Sequence, residues 1–488
     1  MRRQVAILHG WSDRSDSFHP LMEFLRASGY DTIPIWLGDY ISMDDDVAVE
    51  DVAKCLENRV RALQASNELP ATFDLVVHST GGLVAREWLS GYYGDPDDAS
   101  DIPPVRRLIM LAPANFGSRL ASTGKSKVGR AFKGWDNGFQ TGTRMLNALE
   151  LSSAFAWELA CRDLLVSDDM EDDKRRIYGE DAVLPFVIVG SRAYEQWPRS
   201  LVNEYGGDGT VRVAAANMNV FGATIDFTAN IAEPEFRFWE PRFDQIIPLA
   251  VLPDRDHTSV TLPSKTDRGA SVGVPERVGD LILSALACED IEQYKALAKS
   301  WTSDPQSISE RTAAAKPKVP PLSIGNVAFS EEAFHQYIQV NVHIVDDHGT
   351  DVDDYFLEYP STSEGDNGQA ATYFQDHVLE RVDTNSLTSS RRTLFLDRTD
   401  LMKRYYKLTA DKALKMRVVA SPLGKNVGYF VAPNTAHAAG PEIDAVGLVT
   451  LHGVAHADRW LHRNSTHLVK IIVPREAAPG VFTLKRGA

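Results

Sequence analysis

Apolar positions follow two rhythms along this chain. Up to about residue 290, short unbroken apolar runs alternate with stretches of helical period. The runs predict strands near 4–8, 31–36, 73–77, 105–111, 184–189 and 246–252, since a continuous Val/Ile/Leu run suits a parallel strand buried on both faces. Helical spacing predicts helices over 17–28, 47–65, 80–92 and 275–300. Strand and helix in alternation give an α/β fold with a doubly wound, mainly parallel sheet. Between Leu111 and Leu184 the connection is far longer than usual and carries Phe132, Trp135, Phe139, Phe155 and Trp157. Its spacing near 145–165 is helical, so residues of about 114–182 are expected to form a helical lid over an apolar pocket. A helical subdomain with its own core is the plainer alternative.

The rhythm changes after residue 300. Ser300 to Pro321, with four prolines and three consecutive alanines, reads as a linker. Beyond it, Gln336–Val345, Lys415–Ala420, Leu448–Leu451, His467–Val473 and Val481–Lys485 are short β-rich segments punctuated by Asn, Gly, Pro and Asp, without alternating helices. The expected organisation is a catalytic α/β domain over 1–300, a linker over 301–321, and an all-β, sandwich-like domain over 322–488.

Candidate chemistry sits where the predicted strands end. In FDLVVHSTGGLVAREW (73–88), Leu75 to Val77 read as strand, and Leu83, Val84 and Leu89 recur at helical spacing. Ser79 falls in the turn between them, with Gly81 and Gly82 giving the room that a sharp strand-to-helix turn needs. The pattern is V-H-S-T-G, with Val77 in place of the usual first glycine. Downstream, GGDGTVRV holds Asp208 in a glycine-rich turn, and LPDRDHTSV holds His257 just past an apolar run. Ser, Asp and His thus occur in the order in which successive strands would bring them to one sheet edge. Of thirteen histidines, only His9, His19, His78 and His257 precede residue 300, and only His257 follows Asp208. Asp226, Asp254 and Asp256 stay open as alternative acids.

With these segments the first 290 or so residues resemble α/β hydrolases of the lipase and esterase group, which includes bacterial lipases and lecithin-cholesterol-acyltransferase-like enzymes. The matching stretches are HGW (9–11), HSTGG (78–82), LAPANFGS (111–118), GDGTV (207–211) and DHTSV (256–260). The resemblance implies Ser79 as nucleophile, His257 as general base and Asp208 as the orienting acid. It also implies an oxyanion hole from the backbone N–H groups of Trp11 and Thr80. The expected activity is hydrolysis of carboxylic esters, of lipid acyl type, through an acyl-enzyme and without cofactor or metal. An acyltransferase, a thioester, amide or polyester hydrolase, and an inactive hydrolase-fold binding protein are the alternatives.

Composition narrows the rest. A chain of 488 residues exceeds one ordinary core, and 43% hydrophobic with 24% charged residues is a globular composition. A net charge of −16 with no Lys/Arg run argues against a nucleic-acid binder. Cys55, Cys161 and Cys288 match no metal or redox spacing, which suits a reducing compartment. The run Val5–Leu8 is too short for a signal-peptide core, and no run reaches the ~20 residues of a membrane span. The expectation is cytoplasmic, with export lacking a cleavable signal still open. Expected partners are an ester or lipid substrate and, through the C-terminal domain, transient contact with a lipid surface or a partner protein. The acidic run Asp168–Asp173 reads as a solvated turn, and His452, His456, His462 and His467 as a polar loop rather than a metal site.

Overall fold

The computed structural model describes residues 3–8, 18–35, 45–95, 102–121, 142–194, 203–231, 233–261, 278–302, 332, 335–359, 368–409, 414–420, 427–430, 447–451 and 461–477. The chain divides into two compact units, one of Met1–Val166, Met170–Val220 and Pro241–Gln336, the other of Ser167–Asp169, Phe221–Glu240 and Tyr337–Ala488.

The first unit is built on a parallel sheet. Its strands β1 (Gln4–Leu8), β2 (Asp31–Ile35), β3 (Phe73–His78), β4 (Val105–Leu111) and β5 (Leu184–Gly190) follow the apolar runs closely. The chain then supplies β6 (Phe221–Asp226) and β7 (Glu235–Phe238) to the second unit, and returns as β8 (Leu249–Leu252). The strand order is β2-β1-β3-β4-β5-β8, parallel at every pairing. Every residue of β3 and β5 is buried, which is why both are mainly apolar rather than alternating; the buried Asp74 of β3 is paired with Arg107 at 2.9 Å.

Helices flank the sheet. Helix α1 (His19–Ala27) starts with a proline in its first turn and buries Leu21, Met22, Phe24 and Leu25. In α2 (Val49–Ala65), the Asp51 carboxylate accepts the Ala48 N–H at 3.0 Å, and Glu50 and Asp51 suit the positive end of the helix dipole. Helix α3 (Gly81–Tyr93) begins immediately after Ser79 and Thr80. Within the insertion lie α4 (Thr143–Leu149) and α5 (Ala154–Asp163), the latter capped by Ser153 accepting from Ala156 N–H. The single helix predicted over 275–300 is two, α6 (Val278–Ala287) and α7 (Ile291–Thr302). Asp290 causes the break: its carboxylate accepts the Gln293 N–H at 2.8 Å and caps a new helix.

In the second unit, a mixed sheet joins β9 (Tyr337–Asp346), β11 (Leu379–Thr384), β12 (Arg391–Asp397) and β15 (Thr466–Val473) to β6 and β7. Its order is β11-β12-β9-β15-β6-β7, with β15 parallel to both β9 and β6. A second, antiparallel sheet holds β10 (Tyr355–Glu358), β13 (Leu414–Ala420) and β14 (Gly447–Leu451). One core gathers Ile338, Val340 and Val342 of β9, Val469 and Ile471 of β15, Ile225 of β6, and Leu414, Met416 and Val418 of β13. Two findings depart from the sequence reading. Residues 221–240 pair here rather than with the 1–300 domain that contains them in sequence. Helical turns at Gln369–Tyr373, Phe374–Val378 and Leu401–Tyr405 place Tyr373, Phe374, Leu401 and Tyr405 in the core, so this β unit contains helix. The linker from residue 303 and the Val481–Lys485 segment lie outside the described residues. Among the described residues, no helix is long and apolar enough to cross a membrane.

Candidate active site

Ser79 and Thr80 form the whole turn between β3 and α3. Ser79 has φ +55°, a left-handed conformation that strains any side chain bearing a Cβ. Neighbouring bonds hold it there: its N–H donates to Leu111 O, and its carbonyl accepts the Gly82 N–H, both at 3.0 Å. A Cβ on Gly82 would sit 2.7 Å from Pro113 Cβ, so glycine lets the loop after β4 cross the first turn of α3.

Asp208 and His257 arrive from the loops after β5 and β8. The Asp208 side chain is fully buried. Its Oδ1 accepts the N–H groups of Thr210 (2.9 Å) and Val211 (2.7 Å), a turn closed by Gly209 at φ +94°. Its Oδ2 lies 2.9 Å from His257 Nδ1, and His257 Nε2 lies 3.0 Å from Ser79 Oγ. The two loops are also tied through the backbone, His257 N–H donating to Asp208 O at 3.0 Å. They meet over Gly190, the last residue of β5, where a Cβ would fall 2.0 Å from Arg255 O and 3.3 Å from Asp208 Cβ.

With its proton on Nδ1, held by Asp208, the imidazole turns a bare Nε2 lone pair toward the Ser79 hydroxyl. That arrangement can take a proton from an alcohol as the oxygen attacks an electrophile. Nearby, the Tyr194 hydroxyl lies 3.0 Å from Thr210 Oγ1, and burial raises its phenol so that it stays protonated.

The other acids considered from sequence do not reach the imidazole. Asp256 accepts the N–H groups of Thr258 and Ser259, Asp254 lies 3.6 Å from Arg255, and Asp226 belongs to the second unit, where it accepts from Thr228 and Arg237. Thr80 is buried at the start of α3, its carbonyl accepting the Val84 N–H at 3.1 Å. Trp11 lies outside the described residues, as do Phe132, Trp135 and Phe139 of the insertion and His452 and His456.

Sequence reasoning passed over His78. It is buried, its Nε2–H donates to the His257 carbonyl at 3.0 Å, and the two rings stand 4.8 Å apart. Its place directly before Ser79 was the available signal. Arg86 was missed too. On α3, about two turns beyond Ser79, it forms a bidentate ion pair with Asp163 of α5 (2.8 and 2.9 Å), both side chains 0% exposed. Arg86 also donates to Asn115 O, and the Tyr178 hydroxyl donates to Asp163 at 3.0 Å. Burial, then the Asp163 charge, drives the Tyr178 phenol far up, so it remains a donor.

Two sequence readings gain detail. Asp168 accepts from Arg237 and Trp239, Asp169 pairs with Lys470, and Asp172 pairs with Arg242, so the acidic run is the exposed turn its sequence suggests and also anchors ion pairs. His467 is a buried strand residue, its Nε2 accepting the His462 N–H at 3.0 Å, and the ring of Phe221 stacks on both imidazoles.

The model of the alpha/beta hydrolase family matches residues 5–280. Among solved structures, phospholipase PlaB from Legionella pneumophila is similar over 99% of this chain and 96% of its own, with 24% identity and a TM-score of 0.77. Its structure in complex with thio-NAD matches with the same identity and coverage and a TM-score of 0.75. At this identity the likeness carries the fold. No curated protein matches the chain.

Proposed function

Because this chain belongs to the alpha/beta hydrolase family, we propose that it is a serine hydrolase of carboxylic esters, with lipid acyl esters as its substrates. One observation carries the reading: the unbroken relay from the strained Ser79 through His257 to the buried Asp208 carboxylate, at 3.0 and 2.9 Å.

In this mechanism Ser79 Oγ attacks the ester carbonyl carbon while His257 Nε2 takes its proton. Asp208 keeps the imidazole in the tautomer that can accept, and stabilises the imidazolium that forms. The N–H groups of Thr80, at the positive end of α3, and of Trp11 bind the developing oxyanion. His257 then protonates the leaving alcohol, leaving an ester on Ser79, and water activated by the same imidazole releases the acid. The aromatic content of the insertion supports an acyl chain as the group recognised. The phospholipase activity named for the PlaB neighbour puts phospholipid esters first among lipids to be tried.

The test is labelling with a fluorophosphonate, followed by turnover of p-nitrophenyl esters of graded chain length and of phospholipid emulsions. Label should sit on Ser79 and vanish in Ser79→Ala. His257→Ala should lose about as much kcat as Ser79→Ala, on the order of 10⁴-fold or more, with Asp208→Asn keeping a larger residue. Full labelling of a folded Ser79→Ala protein would overturn the assignment.

A further inference from the structure

His257 is held at its ring and at its main chain, and one of the main-chain bonds comes from a residue outside the relay. The ring lies between Asp208 Oδ2 at 2.9 Å and Ser79 Oγ at 3.0 Å. In the main chain, the His257 N–H donates to Asp208 O, and the His257 carbonyl accepts the Nε2–H of His78, both at 3.0 Å.

His78 closes β3 and stands next to Ser79, whereas His257 follows β8, with β4 and β5 between those two strands in the sheet. The bond therefore reaches along the carboxyl edge of the sheet and ties the main chain of the base to the strand that carries the nucleophile. Both residues are buried. A buried carbonyl deprived of its donor is costly, which gives the His257 peptide a reason to turn if His78 is replaced by an apolar side chain. The donor is itself fixed by packing. The His78 ring meets Phe18 edge-on, with centroids 5.8 Å apart, and lies 4.8 Å from the His257 ring at a tilt of 45°. A ring locked in this way sets the direction of its N–H before substrate arrives.

We propose that His78 is a positioning residue for the hydrolysis. Through the His257 carbonyl it fixes the peptide plane from which the imidazole projects, so that Nε2 can serve first the Ser79 hydroxyl and then the leaving alcohol. It acts through His257 and takes no proton in the reaction. This role rests on the serine-hydrolase reading above. It requires an N–H donor three bonds from Cβ, which glutamine also supplies and phenylalanine and leucine do not.

The test compares wild type with His78→Phe, His78→Leu and His78→Gln. The readouts are kcat and KM on a soluble p-nitrophenyl ester, the rate of fluorophosphonate labelling at Ser79, and urea stability. The two donor-free variants should lose about 10–100-fold in kcat and in labelling rate, as expected for a catalytic group misplaced by about 1 Å, with KM within about twofold. His78→Gln should recover most of that loss. A packing role predicts the reverse order, because Phe and Leu keep apolar contacts that an amide spoils. A folded donor-free variant with kcat within about twofold of wild type, or a folded His78→Gln no more active than the donor-free variants, would overturn the proposal. If neither donor-free variant folds, His78→Gln decides alone, and kcat more than about tenfold below wild type overturns the role. Wild-type protein that fails to label at Ser79 would remove the hydrolase reading and this proposal together. Normal wild-type labelling beside an unaltered His78→Phe would remove this proposal only.

Discussion

Replacing Gly190 by alanine should damage catalysis more than stability. The added methyl would sit 2.0 Å from Arg255 O and 2.7 Å from Arg255 C, whereas ordinary contact begins near 3.4 Å. The obstacle is main chain, so no side chain can swing aside. The Arg255 carbonyl must retreat by more than 1 Å, stretching the bond it accepts from the Arg192 N–H, and His257 lies two residues further along. Asp208 Cβ, at 3.3 Å from the same methyl, is pressed from the other side. Overpacking of this kind typically costs about 1–3 kcal/mol of stability. A misplacement of about 1 Å in a catalytic group can cost about 100-fold in rate, or about 2.7 kcal/mol of transition-state stabilisation. The measurement is kcat on a soluble p-nitrophenyl ester, alongside urea unfolding. Gly279→Ala is the control, because its Cβ meets only the far end of the Phe24 ring at 2.7 Å, which can tilt away. A folded Gly190→Ala protein with kcat within twofold of wild type would refute the claim that this crossing sets the relay geometry.

Further outcomes follow from other contacts. Arg86→Met strands the buried Asp163 carboxylate and should lower stability by about 3–5 kcal/mol in urea, while adding Asp163→Leu should restore most of the loss. Burial, reinforced by Arg391, holds His343 down to about 4, and its neutral ring donates to Asp351. The unfolded chain takes up this proton near pH 6.5, so the stabilisation is complete above that pH and falls away towards pH 4, by about 3 kcal/mol. His343→Asn should flatten that slope in urea titrations between pH 7 and 4.5, and an unchanged slope would count against it. Truncation after Ser300 removes β15 from beside β6 and uncovers Ile225 and Phe227. The shortened chain should aggregate in light scattering, and a monodisperse folded product would contradict the pairing.

Most of the first unit was legible because its signals are local. A strand buried on both faces writes itself as an apolar run, and β1, β3 and β4 agree with their runs to within a residue. Ser79 and Asp208 were legible from the glycines around their turns, and His257 from its place just past an apolar run and as the one histidine before residue 300 that follows Asp208. Less was legible wherever a partner far along the chain decides the structure. FGATID at 221–226 has no feature that says its neighbour is β15 rather than the nearer parallel sheet. The helical turns at 369–378 and 401–405 are too short to be stable alone, so packing against the sheets forms them and no periodicity announces them. His78 and Arg86 looked like ordinary strand-end and helix residues, and only their partners at His257 and Asp163 give them their roles.

The crossing of β6 and β7 into the second unit also sets a timetable. During synthesis β6 is complete at Asp226, but β15, the strand that covers its inner edge, begins at Thr466. The ribosome adds about 5–20 residues per second, so the segment waits roughly 10–50 s for its partner. Everything the first unit needs, up to Gln336, emerges well before then. The catalytic half can therefore close on the nascent chain while a β-hairpin with Ile225 and Phe227 uncovered is held out as an open edge. That interval is when this protein most needs a chaperone, and when pairing with a second nascent copy competes with its own carboxyl-terminal strand.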